Sequence, residues 1–185
     1  MIIGYKGTYN YTCRDHKFEI GQTYELPNKP IMCHYGFHYC KFPIEVLTYY
    51  PIKPGFKLIE IEDLGENYSN YNKSVTNKLR VIREVPKEEC EKFFNQKFEL
   101  TEDDVTFINP DGFWEKYQFD KQGNRIYVTD STGRWTKREF DQNNNMIYEE
   151  ESSGFRSTFE YNEKGIVTNR RTEYFTSDNK LVPVR

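Results

Sequence analysis

The side chains able to do unusual chemistry are concentrated in one short stretch. All three histidines, His16, His34 and His38, and three of the four cysteines, Cys13, Cys33 and Cys40, fall between residues 13 and 40. Cys13, Cys33, His38 and Cys40 together offer three thiolates and an imidazole, a donor set that tetrahedral zinc favours. The spacing departs from ordinary zinc modules, because no Cys-x-x-Cys pair occurs and Cys33 and Cys40 stand seven residues apart. The competing reading is that these cysteines are small buried hydrophobes. A Cys–His nucleophilic pair would need a third group to orient the base, and the sequence identifies none.

The elements that must position this stretch are short strands and two short helices. Ile2–Thr8 reads as a first strand, and Phe18–Tyr24 alternates as a second. Pro43 can open a short helix through Val46 and Leu47, stopped by Pro51. Phe56–Glu62 is a strand with Ile59 and Ile61 on one face and Glu60 and Glu62 on the other. The polar run 65–77 reads as a loop, and Leu79–Val85 as another strand. Pro86-Lys87-Glu88-Glu89 starts a helix that ends near Asn95, with its acids at the positive end of the helix dipole. Residues 1–97 thus form a small α+β domain.

From residue 98 to 185 the pattern is strand and turn only, and it repeats. Gly112-Phe113-Trp114, Gly133-Arg134-Trp135 and Gly154-Phe155-Arg156 open three copies, 21 residues apart. Seven residues after each Gly comes an aromatic followed by Asp or Asn, in Phe119-Asp120, Phe140-Asp141 and Tyr161-Asn162. Gly123, Asn144 and Gly165 follow, at positions where positive φ is needed in a tight turn. Ser177-Asp178-Asn179-Lys180 reads as a last turn. The fold class expected is an α+β N-terminal domain followed by an antiparallel β-meander of hairpin repeats, mainly β overall. Lys116, Lys137 and Thr158 align in one row, as do Gln118, Glu139 and Glu160, which marks a solvated face. Phe113, Tyr117, Phe119, Phe140, Phe155, Phe159 and Tyr161 mark the other, which needs cover from another layer or a partner.

Composition narrows the function. The chain has 185 residues, with 26 Lys and Arg against 29 Asp and Glu, a balance that argues against a dedicated nucleic-acid binder. Hydrophobic content is only 36%, but 15 Tyr and 14 Phe can build a core from rings. No apolar run approaches the roughly 20 residues of a membrane span. The start of the chain has no signal-peptide pattern, so a cytoplasmic protein with reduced thiols is expected.

Several resemblances bear on the reading. The Gly, Tyr/Phe-Asp and Gly-Asn positions at a 21-residue period resemble tyrosine-aspartate (YD, RHS-type) repeats over about residues 105–175. The Gly-aromatic pairs also resemble choline-binding hairpins, which implies a carbohydrate or surface-ligand module on the Trp114/Trp135 face; the candidate binding surface of the meander comprises Phe113, Trp114, Tyr117, Trp135 and Phe155. At the other end, Gly4-Tyr5-Lys6-Gly7-Thr8 and Gly36-Phe37-His38-Tyr39 resemble the front half of compact ADP-ribosyltransferases. That likeness implies an NAD-using enzyme with Lys6, His38 and Glu60 or Glu62 as its site, although Lys6 stands where that family has Arg or His. More specifically, Cys13-Arg14, Phe18-Glu19-Ile20-Gly21-Gln22-Thr23-Tyr24, Gly36-Phe37-His38-Tyr39-Cys40 and Lys78–Glu84 resemble an uncharacterised small domain of phage and large-virus proteins. That match covers roughly residues 4–90 and implies no known chemistry. The leading expectation is a phage-type accessory protein that binds another protein, such as a host or defence factor, through the aromatic face of the meander. It requires no cofactor and leaves homo-oligomers open, whereas the alternatives would bring NAD or zinc.

Overall fold

The first strand is an inner strand of a six-stranded sheet. In the computed structural model, which describes residues 2–175 and 181–183, strand β1 (Ile2–Tyr9) pairs along its whole length with a later strand. The chain divides into two units, Met1–Lys97 and Phe98–Arg185.

In the first unit, β1 is followed by β2 (Thr12–Cys13), β3 (His16–Lys17), β4 (Thr23–Glu25), β5 (Phe37–Tyr39) and a 3-10 helix, Pro43–Thr48. Then come β6 (Phe56–Asp63), β7 (Asn67–Asn70), β8 (Lys73–Thr76), β9 (Lys78–Glu84) and helix α1 (Lys87–Phe94). Six strands form a half-barrel in the order β3-β2-β1-β6-β9-β4, and β5-β8-β7 form a second small sheet. The two sheets meet at an antiparallel bridge, where Tyr5 and Cys40 exchange both backbone hydrogen bonds at 2.7 and 2.8 Å. The core fills the concave side with Cys13, Phe18, Phe37, Tyr39, Ile59, Ile61, Leu79 and Val81. Residues on β6 alternate as the sequence predicts, with Ile59 and Ile61 in this core.

Local chemistry fixes the helices. Pro43 sets φ for the first turn of the 3-10 helix, and the Glu45 carboxylate accepts the Phe42 N–H at 3.2 Å. Helix α1 starts after Pro86 and ends where Asn95 turns left-handed at φ +50°. Two expectations are corrected. The stretch Phe18–Tyr24 is not one strand: Gly21 at φ +83° and a Gln22-to-Glu19 turn interrupt it, leaving only β4 to pair with β9. The run 65–77 is not a loop but the β7–β8 hairpin. Its outer strand is fully exposed, and its inner strand is held by polar contacts, with the Thr76 hydroxyl donating to Asp63 at 2.6 Å. Apolar alternation is therefore absent from the sequence there.

The second unit is one nine-stranded antiparallel meander in sequential order. Its strands are β10 (Lys97–Leu100), β11 (Asp104–Ile108), β12 (Trp114–Phe119), β13 (Arg125–Asp130), β14 (Trp135–Phe140), β15 (Met146–Glu151), β16 (Phe155–Tyr161), β17 (Val167–Phe175) and β18 (Leu181–Pro183). The expected turn at 177–180 lies outside the described residues. Left-handed residues recur at 112, 123, 133, 144, 154 and 165, so turns alternate at 11 and 10 residues and produce the 21-residue period. In alternate turns one carboxylate or amide ties down the loop. Asp120 accepts the N–H groups of Gln122 and Asn124, Asp141 those of Asn143 and Asn145, and Asn162 those of Lys164 and Ile166. Ser131 and Ser152, one period apart, each donate their backbone N–H to the carbonyl of Trp114 and Trp135 respectively.

Candidate functional site

Strand β1 brings a lysine into the concave core. Register pairs Lys6 with Ile59, so its side chain takes the same face as the core residues, and only 4% of Lys6 is exposed. Its Nζ donates to the His38 carbonyl at 2.8 Å and lies 5.4 Å from the centroid of the Phe18 ring. Burial pushes the amine below its ordinary pKa. The neighbouring groups that act on its charge are Cys13, Arg14 and Cys40, none of them a carboxylate.

Lys6 lines a cavity of about 250 Å³. The other basic groups on its wall are Arg14, His16, His38 and Lys73, and among the described residues no carboxylate lines it. The apolar wall is made of rings: Phe18, Phe37, Tyr39, Tyr49 and Tyr50. Two glycines let those rings approach β1. A Cβ on Gly4 would stand 2.2 Å from the Tyr39 ring, and one on Gly7 2.5 Å from Tyr50. Tyr50 Oη and Cys13 Sγ are 2.6 Å apart, and burial, then that contact, raises the phenol's pKa. The Lys73 ammonium sits 4.6 Å from the Tyr49 ring centroid.

His38 accepts the Cys33 backbone N–H at Nε2, at 2.8 Å, so the neutral ring carries its hydrogen on Nδ1. Burial, with Lys6, Arg14 and Lys73 nearby, pushes its pKa down to about 4. His38 is thus uncharged at neutral pH. Burial pushes Cys40 up to about 11, which keeps it a thiol.

Lys6 and His38 therefore come together, but Glu60 and Glu62 do not join them. Glu60 is opposite Tyr5 and Glu62 opposite Ile3, on the other face of the sheet from Lys6. Each is held there by an arginine, Glu60 by Arg83 at 2.8 Å and Glu62 by Arg80 at 2.7 Å. Of the zinc quartet, Cys13, His38 and Cys40 line this cavity, whereas the Cys33 side chain is exposed. Among the described residues no three His, Cys, Asp or Glu side chains are grouped to hold a metal. Tyr50 and Lys73 belong to the cavity without any sequence signal. Lys73 lies in the polar run of the β7–β8 hairpin, and Tyr50 follows the 3-10 helix.

Residues 2–93 match the family model described as Domain of unknown function (DUF7666). The N-terminal unit is a DUF7666 domain. No curated protein matches the chain. The DUF7666 match spans every residue that lines the cavity. The sequence resemblance to an uncharacterised small domain, over roughly residues 4–90, falls within it.

The surface expected on the meander divides between two faces. Register sets Lys116 beside Thr129, and Thr129 beside Trp135, so Trp114, two residues from Lys116, and Trp135 share the face with Lys116 and Lys137. There Trp135 stacks on Tyr127 with ring centroids 6.3 Å apart. Tyr117 and Phe155 lie on the opposite face, paired edge-on with Phe107 at 5.7 Å and tilted against Tyr174 at 6.0 Å. Phe113 precedes β12, its N–H held by Asp111 at 3.0 Å. The aromatic face also carries Phe119, Phe140, Phe159 and Tyr161, all half-buried, while Phe155 is 44% exposed. No helix among the described residues is long and apolar enough to cross a membrane.

Proposed function

We propose that the DUF7666 domain binds a small planar anion in the Lys6–His38 cavity. The observation that carries this reading is the sign of the cavity: Lys6, Arg14 and Lys73 line it, no carboxylate among the described residues does, and the protein as a whole is acidic at −3. A basic site on an acidic protein concentrates anions locally. Its size, about 250 Å³, is just below the roughly 300–1,000 Å³ of drug-sized sites, so one ring with a short anionic group fits. The ring walls favour a flat ligand, which they can stack or meet edge-on. Titration with benzoate, followed by calorimetry, tests it. Binding should weaken at high salt and about tenfold or more in Arg14→Gln/Lys73→Gln, and benzyl alcohol should bind far more weakly. Equal binding of the acid and the alcohol, or no binding at millimolar benzoate, refutes it.

A second reading concerns the meander, where among the described residues the aromatic face of β12–β16 has no covering layer in its own unit. This supports docking of another protein, with a host-cell protein as the occupant expected from the sequence. Tyr117→Ser/Phe155→Ser should abolish capture of such a partner, whereas Trp114→Ser should not. Equal loss from the two faces would refute it.

A further inference from the structure

We infer that Lys6 is a nucleophilic amine that captures the carbonyl of an anionic aldehyde or ketone as an imine. The inference rests on the anion-binding reading of the same cavity and adds the class of ligand. A lysine kept for packing is expected to pair with a carboxylate or to carry its ammonium to the surface. Lys6 does neither. It is 4% exposed, and its hydrogen-bond acceptor is a neutral main-chain carbonyl, the His38 oxygen at 2.8 Å. The Cys13 thiol is its other hydrogen-bonding neighbour, so no carboxylate holds the amine, and Lys6 lines the cavity. Burial outweighs the opposing pull of Cys13 and, with the Arg14 charge, shifts the amine toward the free base, the form with a lone pair to donate.

The walls supply the rest. Gly4, on the same face of β1 as Lys6, leaves bare backbone against which Tyr39 closes, while Gly7 admits Tyr50 against the strand's other face. Arg14 and Lys73 line the same cavity and can hold the ligand's carboxylate or phosphate while its carbonyl faces Nζ. The step balances without a cofactor. The nitrogen lone pair forms the N–C bond, the carbonyl π pair moves to oxygen, and a proton passes from nitrogen to oxygen to give a carbinolamine. That hydroxyl then takes a second proton and leaves as water, while nitrogen loses its last proton and the C=N bond forms. Cys13, which neighbours the amine and lies 2.6 Å from the Tyr50 hydroxyl, links Tyr50 to Lys6 as a path for the proton.

The test uses the full-length protein with 4-formylbenzoate and cyanoborohydride, read by intact mass and peptide mapping, and 4-methylbenzoate as the ligand without a carbonyl. We expect one adduct, on Lys6, suppressed at least fivefold by excess 4-methylbenzoate and absent in Lys6→Met. Wild-type labelling and its protection decide the matter even if that variant folds poorly. Binding of 4-methylbenzoate together with adducts only on exposed lysines would overturn the imine and leave the anion site standing. Failure of 4-methylbenzoate to bind would overturn both.

Discussion

Lys6→Met separates a lysine kept for its chemistry from one kept for the fold. Methionine preserves the unbranched stem and removes the amine. The substitution gives up the 2.8 Å hydrogen bond to the His38 carbonyl, about 1 kcal/mol. It also gives up the Phe18 ring contact, about 0.5–1 kcal/mol. Against this, mutational data put burial of a polar group at about 1–3 kcal/mol, and a charged one costs several kcal/mol more than its neutral form. The balance favours the variant by about 1–2 kcal/mol near neutral pH. The pH dependence has a definite sign. The folded state gives up the Lys6 proton below the ordinary 10.5, and the unfolded chain holds it up to 10.5. Wild-type stability therefore rises with pH between the lowered value and 10.5, and the advantage of Lys6→Met is largest at the acid end and fades upward. Arg14, Cys13, His38 and Cys40 also face the amine. His38, near 4, and Cys40, near 11, do not titrate between about pH 6 and pH 9. A Cys13→Ser background removes the other thiol. Trp114 and Trp135, the chain's two tryptophans, are both in the meander, so tryptophan fluorescence follows the wrong unit. Exchange of the buried Cys90 thiol with a disulfide reagent, in a Cys33→Ser background, reports opening of the first unit. Slower exchange in Lys6→Met, converging on wild type as pH rises, is expected. Faster exchange by tenfold or more, or a difference flat with pH, would refute the reasoning.

Two further outcomes follow from local geometry. Gly7→Ala places a methyl 2.5 Å from Tyr50 Cβ and 2.8 Å from Val46 Cγ1, an overpacking that should cost about 1–3 kcal/mol. Cys90 exchange should accelerate and benzoate binding should fall, because Tyr50 is displaced from the cavity wall. In the meander, the Thr132 hydroxyl and backbone, with Arg134, hold the Asp130 carboxyl down to about 2, below its ordinary 3.8. The stability this contributes is present above 3.8 and is lost as pH falls toward 2. An acid titration of tryptophan fluorescence should show that loss in wild type, with a smaller slope in Asp130→Asn.

The fold was legible where side-chain pattern and backbone need coincide. The meander announces itself because each turn demands a left-handed residue, and Gly or Asn supplies it at 112, 123, 133, 144, 154 and 165. Strand β6 is equally plain from Ile59 and Ile61 set against Glu60 and Glu62. The β7–β8 hairpin was hidden because its inner strand, paired with β5, buries Ser74 and Thr76 beside Val75, so no apolar alternation marks it. Of the cavity, the histidine–cysteine stretch contributes Cys13, Arg14, His16, His38 and Cys40, whereas other walls come from elements with no such signal. Glu60 and Glu62 resemble an acid pair in sequence, yet the strand's period of two turns them away from Lys6. The tyrosine from the 3-10 helix and the lysine from the hidden hairpin reach the cavity only through tertiary packing, which no local pattern records.

The alternating 11- and 10-residue turns of the meander make it a ruler. Each 21-residue step adds two strands, about 10 Å of sheet across the strand direction. It returns the chain to the same heading with the same face outward. Duplication or loss of a whole step would change the sheet's reach in fixed increments and leave every aromatic and charged row in line. A change of a single strand would reverse the chain and carry whatever follows to the opposite edge. Evolution of length in this half of the protein is thereby quantised in hairpins.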